Sequence, residues 1–400
     1  MSSPIRNYLI VTGAYWGFTV TDGAIRMLVV LFFHTLGYTP FEVAMLFVLY
    51  EACGVVTNAV GGWLGARWGI NTTMHAGMAL QVVALLALTV PQELLTLTYV
   101  VLVQALSGVA KDLNKMSAKS SVKTIAAGGS DSRLFKWVAA LTGSKNALKG
   151  AGFFIGAAGL EWLGFQGTLY ALASALALVA FSTMLSLPRD LGKTKSKPKF
   201  SQVFSNTREV NWLSAARFFL FGARDVWFVV ALPVFAYSVL EWTFTQVGAY
   251  MALWVVGYGF IQAIAPKILS RRDSTFAPGG PTALRCVCIL AAIPALMAWA
   301  ISLEMDAGWI VIIGLGLFGV VFALNSAVHS YLILALADND KVAMNVGFYY
   351  MSNAGGRLLG TVLSGWTYLT FGMTGCLWTS AALLAVAAGL TLPLFQHNSS

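Results

Sequence analysis

The sequence predicts an all-α integral membrane protein with twelve transmembrane helices in two six-helix halves, and three observations carry that prediction. Of its 400 residues, 58% are hydrophobic and 10% charged, with a mean hydropathy of +0.74. That is more apolar side chain than a soluble domain of this length would need. Apolar runs of about 20 residues recur, each long enough to cross roughly 30 Å of hydrocarbon as a helix, and the period-2 alternation of a membrane barrel is absent. The runs fall into two groups on either side of Pro188-Arg-Asp-Leu-Gly-Lys-Thr-Lys-Ser-Lys-Pro-Lys-Phe200, a basic, proline-bounded stretch that lipid would not tolerate. The expected organisation is therefore a half over 1–187, a linker over 188–209 and a half over 210–400.

The spans are expected at about 7–34, 41–63, 72–90, 94–118, 137–160 and 168–187, then 210–237, 244–266, 283–303, 309–335, 342–368 and 375–395. Met1 to Asn7 runs into the first span without a small-residue cleavage site, so that helix is expected to be retained. Cys53, Cys286, Cys288 and Cys376 all fall in spans and read as small buried apolar residues. Loops on the linker side carry Arg67, Lys119, Lys123, Arg133, Lys136, Arg189, Lys193, Lys195, Lys197, Lys199, Arg208, Lys267, Arg271, Arg272 and Lys341. The opposite loops carry no lysine or arginine and contain Glu93, Glu161, Glu241, Glu304 and Asp306. The positive-inside rule then puts both termini and the linker in the cytoplasm. The net charge of +9 follows from this asymmetry and from cations within the spans, and no base-reading motif accompanies it.

The halves resemble each other. Leu36-Gly-Tyr-Thr-Pro-Phe-Glu-Val43 lines up with Leu240-Glu-Trp-Thr-Phe-Thr-Gln-Val247, a register that brings Asp22 within one residue of Asp225. Parallel repeats of this kind surround a central path in many transporters.

Charges at membrane depth cost several kcal/mol on insertion scales and normally face a bundle interior or a watery cavity. Taken in order, the first span places Asp22 and Arg26 one turn apart, either as an internal ion pair or as substrate contacts. The second carries Glu51. The fourth repeats Lys111, Lys115 and Lys119 beside Asp112, Lys119 snorkelling toward the interface. The fifth adds Lys145, Asn146 and Lys149, the two lysines on one face, among glycines at 143, 150, 152, 156 and 159 that let neighbouring helices approach. Pairing with Asp22, Glu51 or Asp112 is the alternative for these lysines; the surplus of cations weighs against it. The seventh stacks Arg217 and Arg224 along one face, with Asp225 alongside. The tenth offers Asn325 and His329, the latter a titratable group. The eleventh carries Asn345, Tyr349, Tyr350, Asn353 and Arg357.

Arg26, Lys111, Lys115, Lys145, Lys149, Arg217, Arg224 and Arg357 thus outnumber Asp22, Glu51, Asp112 and Asp225, so the expected ligand is small, polar and multiply negative. Arginine suits bidentate contact with phosphate or carboxylate, and lysine supplies a point charge. The four acids are the candidates for coupling or gating. No phosphate-binding loop, metal-spaced histidines or Ser/His/Asp set appears, so the sequence predicts neither an enzyme nor a cofactor or metal, and transport that is secondary or facilitated.

Twelve spans, a cytoplasmic linker and the loop Gly62-Trp-Leu-Gly-Ala-Arg67-Trp-Gly69 resemble the major facilitator superfamily, although Ala66 stands where aspartate is usual and Ile70-Asn71 where basic residues follow. Within it, Ala110–Lys119, Gly143–Gly150, Phe221–Phe228, Asn325–Tyr331 and Asn353–Gly360 look like the ArsJ family of bacterial organoarsenical efflux permeases. That resemblance implies a multi-pass inner-membrane protein, expected to be monomeric, that exports 1-arseno-3-phosphoglycerate. It implies glyceraldehyde-3-phosphate dehydrogenase as the functional partner, and so arsenate resistance. The molecule is anionic at both ends: Lys111, Lys145 and Lys149 are expected to hold one end, Arg224 and Arg357 the other, with Arg26, Arg217, Asn146, Asn325, His329, Tyr349 and Asn353 also lining the path. The rival readings are an organophosphate/phosphate exchanger and a non-transporting anion sensor.

Overall fold

The computed structural model describes residues 3–68, 70–126, 131–187, 207–269, 279–336 and 342–396, and among these no strand occurs. The helices are α1 Ser3–Thr35, α2 Pro40–Met45, α3 Val48–Trp68, α4 Ile70–Ala87, α5 Leu97–Ala126 and α6 Asp131–Ser186. They continue with α7 Arg208–Phe228, α8 Ala231–Ser238, α9 Phe244–Leu269, α10 Gly280–Ser302, α11 Ala307–Ala335 and α12 Val342–Gln396. Each of the twelve expected spans falls on these helices. The second is shared by α2 and α3 and the seventh by α7 and α8, while α6 and α12 each hold two spans. Those two bend at Gly164 (φ +71°) and Gly372 (φ +63°), in the left-handed region that glycine enters without a Cβ penalty. Eight segments among the described residues are long and apolar enough to cross a membrane, and two of them, Ser144–Ser186 and Asn345–Leu394, are these double segments.

The internal repeat extends to backbone chemistry. Thr39 caps α2 through a reciprocal box: its amide donates to the Glu42 carboxylate (2.8 Å) and the Glu42 amide donates to its hydroxyl (3.3 Å). At the same register in the second half, the Thr243 amide donates to Gln246 Oε1 (2.9 Å) and the Gln246 amide to the Thr243 hydroxyl (3.3 Å). Two residues before each cap the backbone turns left-handed, at Gly37 (φ +88°) and Glu241 (φ +55°). His34 and Ser238, equivalent in this register and 204 residues apart, touch through Nε2 and Oγ at 2.7 Å.

The chain gathers into two compact units. The first comprises 1–32, 56–200 and 243–256; the second comprises 33–55, 201–242 and 257–400. Each is built mainly from one sequence half and takes in a segment from the other. Small residues explain the exchange: a Cβ on Gly248 of α9 would meet Ala157 of α6, and one on Gly365 of α12 would meet Ala44 and Pro40 of α2. Within the first unit α1 and α6 lie so close that a Cβ on Gly152 or Gly156 would collide with the backbone of Val20 or Ala24. In the second unit Gly356 and Gly360, at the same 204-residue offset, lie equally close to Phe218 and Gly222 of α7. The expected linker lies outside the described residues over 188–206, as do Gly69 and the side chains of the loop motif from Gly62.

Candidate functional site

The close approach of α1 and α6 brings Asp22 opposite Lys149. Their Oδ2 and Nζ are 3.6 Å apart, the lysine 17% and the aspartate 5% exposed, and the Lys149 ammonium also lies over the Phe153 ring at 5.9 Å. On α5, Asp112 accepts from the Thr57 hydroxyl (2.5 Å) and pairs with Lys115 (3.5 Å), whose ammonium donates to Asn58 (2.6 Å). Arg26 is buried on α1, and Lys111, Lys145 and Asn146 are half-buried.

The second unit holds an alternating chain of charges. Glu51 of α3 accepts from Arg357 Nη2 at 2.7 Å. Arg357 Nε donates to Asp225 Oδ2 at 3.2 Å, and Asp225 accepts from Arg224 through Nε (2.6 Å) and Nη2. Both acids are sealed, at 1% and 0% exposure, whereas Arg357 is 22% and Arg224 15% exposed. The cations therefore keep exposed surface that the acids lack. In both units an acid on the first helix of a half meets a cation on the fifth. A carboxylate satisfied this way makes the embedded charge tolerable.

Arg217 and Arg224, seven residues apart on α7, share one aromatic ring: their Cζ atoms sit 4.0 and 5.0 Å from the Phe221 centroid. Arg217 is otherwise placed differently. It is 4% exposed, donates from Nη1 to Ser326 Oγ (3.1 Å) and lies 5.1 Å from the Tyr349 ring. Tyr258 and Gln262 of α9 donate to the same Ser326 oxygen at 3.2 and 3.5 Å. His329, one turn along α11, is within electrostatic reach of Arg217. Asn325, His329, Asn345 and Tyr349 are buried, and Asn353 is half-buried with its Oδ1 sealed from solvent.

The structure thus gathers the expected residues into an Asp22–Lys149 pair, a group around Asp112, a Glu51–Arg357–Asp225–Arg224 chain, and a group around Arg217 with His329 and Tyr349. The ion pairing of Lys149 follows the alternative that the cation surplus weighed against. A surplus counts charges and says nothing of which helix faces meet; the glycine-lined contact of α1 and α6 decides that. Ser326, Tyr258, Thr57 and Asn58 were not singled out from the sequence. Only Ser326, beside Asn325, carried a local hint. Among the described residues no three His, Cys, Asp or Glu side chains converge as a metal site would require.

Residues 9–332 match the model of the Major Facilitator Superfamily. No curated protein matches the chain. Among solved structures, a proton-dependent oligopeptide transporter is 15% identical, with 98% of each chain covered and a TM-score of 0.73. A POT family transporter in complex with a thioalcohol-conjugated peptide is 12% identical, covering 98% of this chain and 96% of that one, with a TM-score of 0.78. The nucleoside transporter NupG is 14% identical, covering 97% and 100%, with a TM-score of 0.70. At these identities the likeness is one of fold.

Proposed function

The chain belongs to the major facilitator superfamily, and from that premise we propose that it exports 1-arseno-3-phosphoglycerate from the bacterial cytoplasm by alternating access. It is a multi-pass membrane transporter of the facilitated kind. On this reading it acts as a monomer in the inner membrane, termini inside, and completes an arsenate resistance route that glyceraldehyde-3-phosphate dehydrogenase begins. The observation that carries the reading is the set of part-exposed cations, Lys149, Arg224 and Arg357, each held against a more deeply buried acid. The runs that contain them are the ones that resemble organoarsenical permeases.

In each unit a multiply charged ester would compete with the buried acid for its cation, Asp22 for Lys149 in the first and Asp225 and Glu51 for Arg224 and Arg357 in the second, with Lys111, Lys145 and Arg26 adding to the field in the first. Lysine in the first unit offers a point charge and arginine in the second a bidentate contact, and each suits a phosphate or carboxylate group. The inside-negative potential drives anion efflux by about 2.3 kcal/mol per charge per 100 mV, so uniport suffices and no nucleotide hydrolysis is required.

The test is arsenate accumulation in cells expressing the dehydrogenase together with the parent, Lys149→Ala or Arg224→Ala at equal membrane abundance. The expected result is low accumulation with the parent and high accumulation with either variant. Protection without any dehydrogenase would refute the ester as substrate. Saturable phosphate/phosphate counterflow in proteoliposomes without arsenic would replace export with organophosphate exchange, and no turnover of any anion would leave a sensor.

A further inference from the structure

Arg217 sits in the second unit among hydrogen-bond donors that share one acceptor. Ser326 Oγ, with two lone pairs, faces three of them: Arg217 Nη1, the Tyr258 hydroxyl and the Gln262 amide. The Nε of Arg217 has no acceptor, and His329 Nδ1 has no hydrogen-bond partner, among the described residues. Among the described residues no carboxylate lies within ion-pair distance of Arg217, whereas Lys115, Lys149, Arg224 and Arg357 each have one. The five side chains Arg217, Asn325, Ser326, His329 and Tyr349 are all at most 4% exposed. A buried guanidinium with no acceptor for its Nε calls for a reason. Water could serve the donors, yet it would leave a full guanidinium charge at membrane depth without a counter-charge.

We infer that Arg217, with Ser326, His329 and Tyr349 about it, forms a binding site for one compact, singly charged inorganic anion, separate from the Glu51–Arg357–Asp225–Arg224 chain. Chloride and nitrate are of the right class. One guanidinium among neutral donors balances a single charge. The Phe221 ring lies against both Arg217 and Arg224. The assignment does not depend on which substrate the transporter carries.

The experiment is a thermal melt of the purified full-length protein in detergent at constant ionic strength, with sodium gluconate replaced stepwise by sodium chloride, sodium nitrate or sodium phosphate. Chloride and nitrate are expected to raise the melting temperature saturably, by on the order of 5 °C at high occupancy. Arg217→Gln should abolish the rise. Ser326→Asp places a carboxylate beside the guanidinium, so that variant should melt near the anion-saturated parent and ignore added salt, which keeps the test decisive even if Arg217→Gln fails to fold. A parent whose melting is the same in every salt would overturn the site. So would a rise with phosphate alone, or a rise that survives in Ser326→Asp.

Discussion

Replacing Asp225 by asparagine removes one negative charge at the centre of the second unit while keeping its shape. The carboxylate is fully buried and accepts from Arg224 through Nε at 2.6 Å and from Arg357 at 3.2 Å. Arg357 would keep Glu51 at 2.7 Å, so the uncompensated charge falls on Arg224. Breaking a buried pair by removing one partner costs about 3–5 kcal/mol. Arg224 and Arg357 are 15% and 22% exposed, and residual solvation brings the expectation down to about 2–3 kcal/mol. For a unit of this size that is a drop of roughly 5–10 °C in apparent melting temperature, readable from intrinsic tryptophan fluorescence in detergent. The double variant Arg224→Gln/Asp225→Asn removes both members and should recover most of the loss, because it leaves no orphaned charge. A single variant melting within about 1 °C of the parent, or a double variant worse than the two singles combined, would refute the argument.

Two further outcomes are expected. Asp22→Asn frees Lys149 from a pair worth about 1 kcal/mol at this exposure, so the KM for the transported anion in inverted vesicles should fall about fivefold; a raised KM would count against Lys149 as a contact. Gly356→Ala drives a Cβ into the Phe218 backbone and should cost about 2–3 kcal/mol, more than Gly372→Ala, which meets open space and pays about 1–2 kcal/mol for its φ of +63°; melting curves in the reverse order would reject the packing account.

The all-helical architecture was legible because length and apolarity suffice to mark a span, and the breaks within α6 and α12 fall where the sequence offers Gly164 and Gly372. The repeat was legible in a few identities around Thr39 and Thr243. Their full meaning, a shared cap and a shared left-handed turn, needed backbone angles. What could not be read was pairing. The Lys149–Asp22 and Arg357–Glu51 contacts join residues far apart in the chain, and no local period encodes them. Ser326 was overlooked for a related reason: a serine in an apolar helix usually bonds back to its own turn, and here only its three external donors mark it out.

Counting charges along the sequence gives an excess of embedded cations and suggests strong attraction for any anion. The pairing changes what that excess means. With each embedded acid held against a cation, the protein tolerates the charges in lipid, and an incoming anion gains only the difference between its own contacts and those of the carboxylate it displaces. On the proposed reading a displaced Asp22 or Asp225 would have to find a proton or a new partner before the cycle closes, so substrate affinity and any proton coupling would rest on the same few atoms. Arg217 stands outside this exchange. It has no carboxylate to surrender among the described residues, so an anion bound there displaces nothing, and occupancy of that site should follow the salt in the medium without regard to the state of the transport cycle.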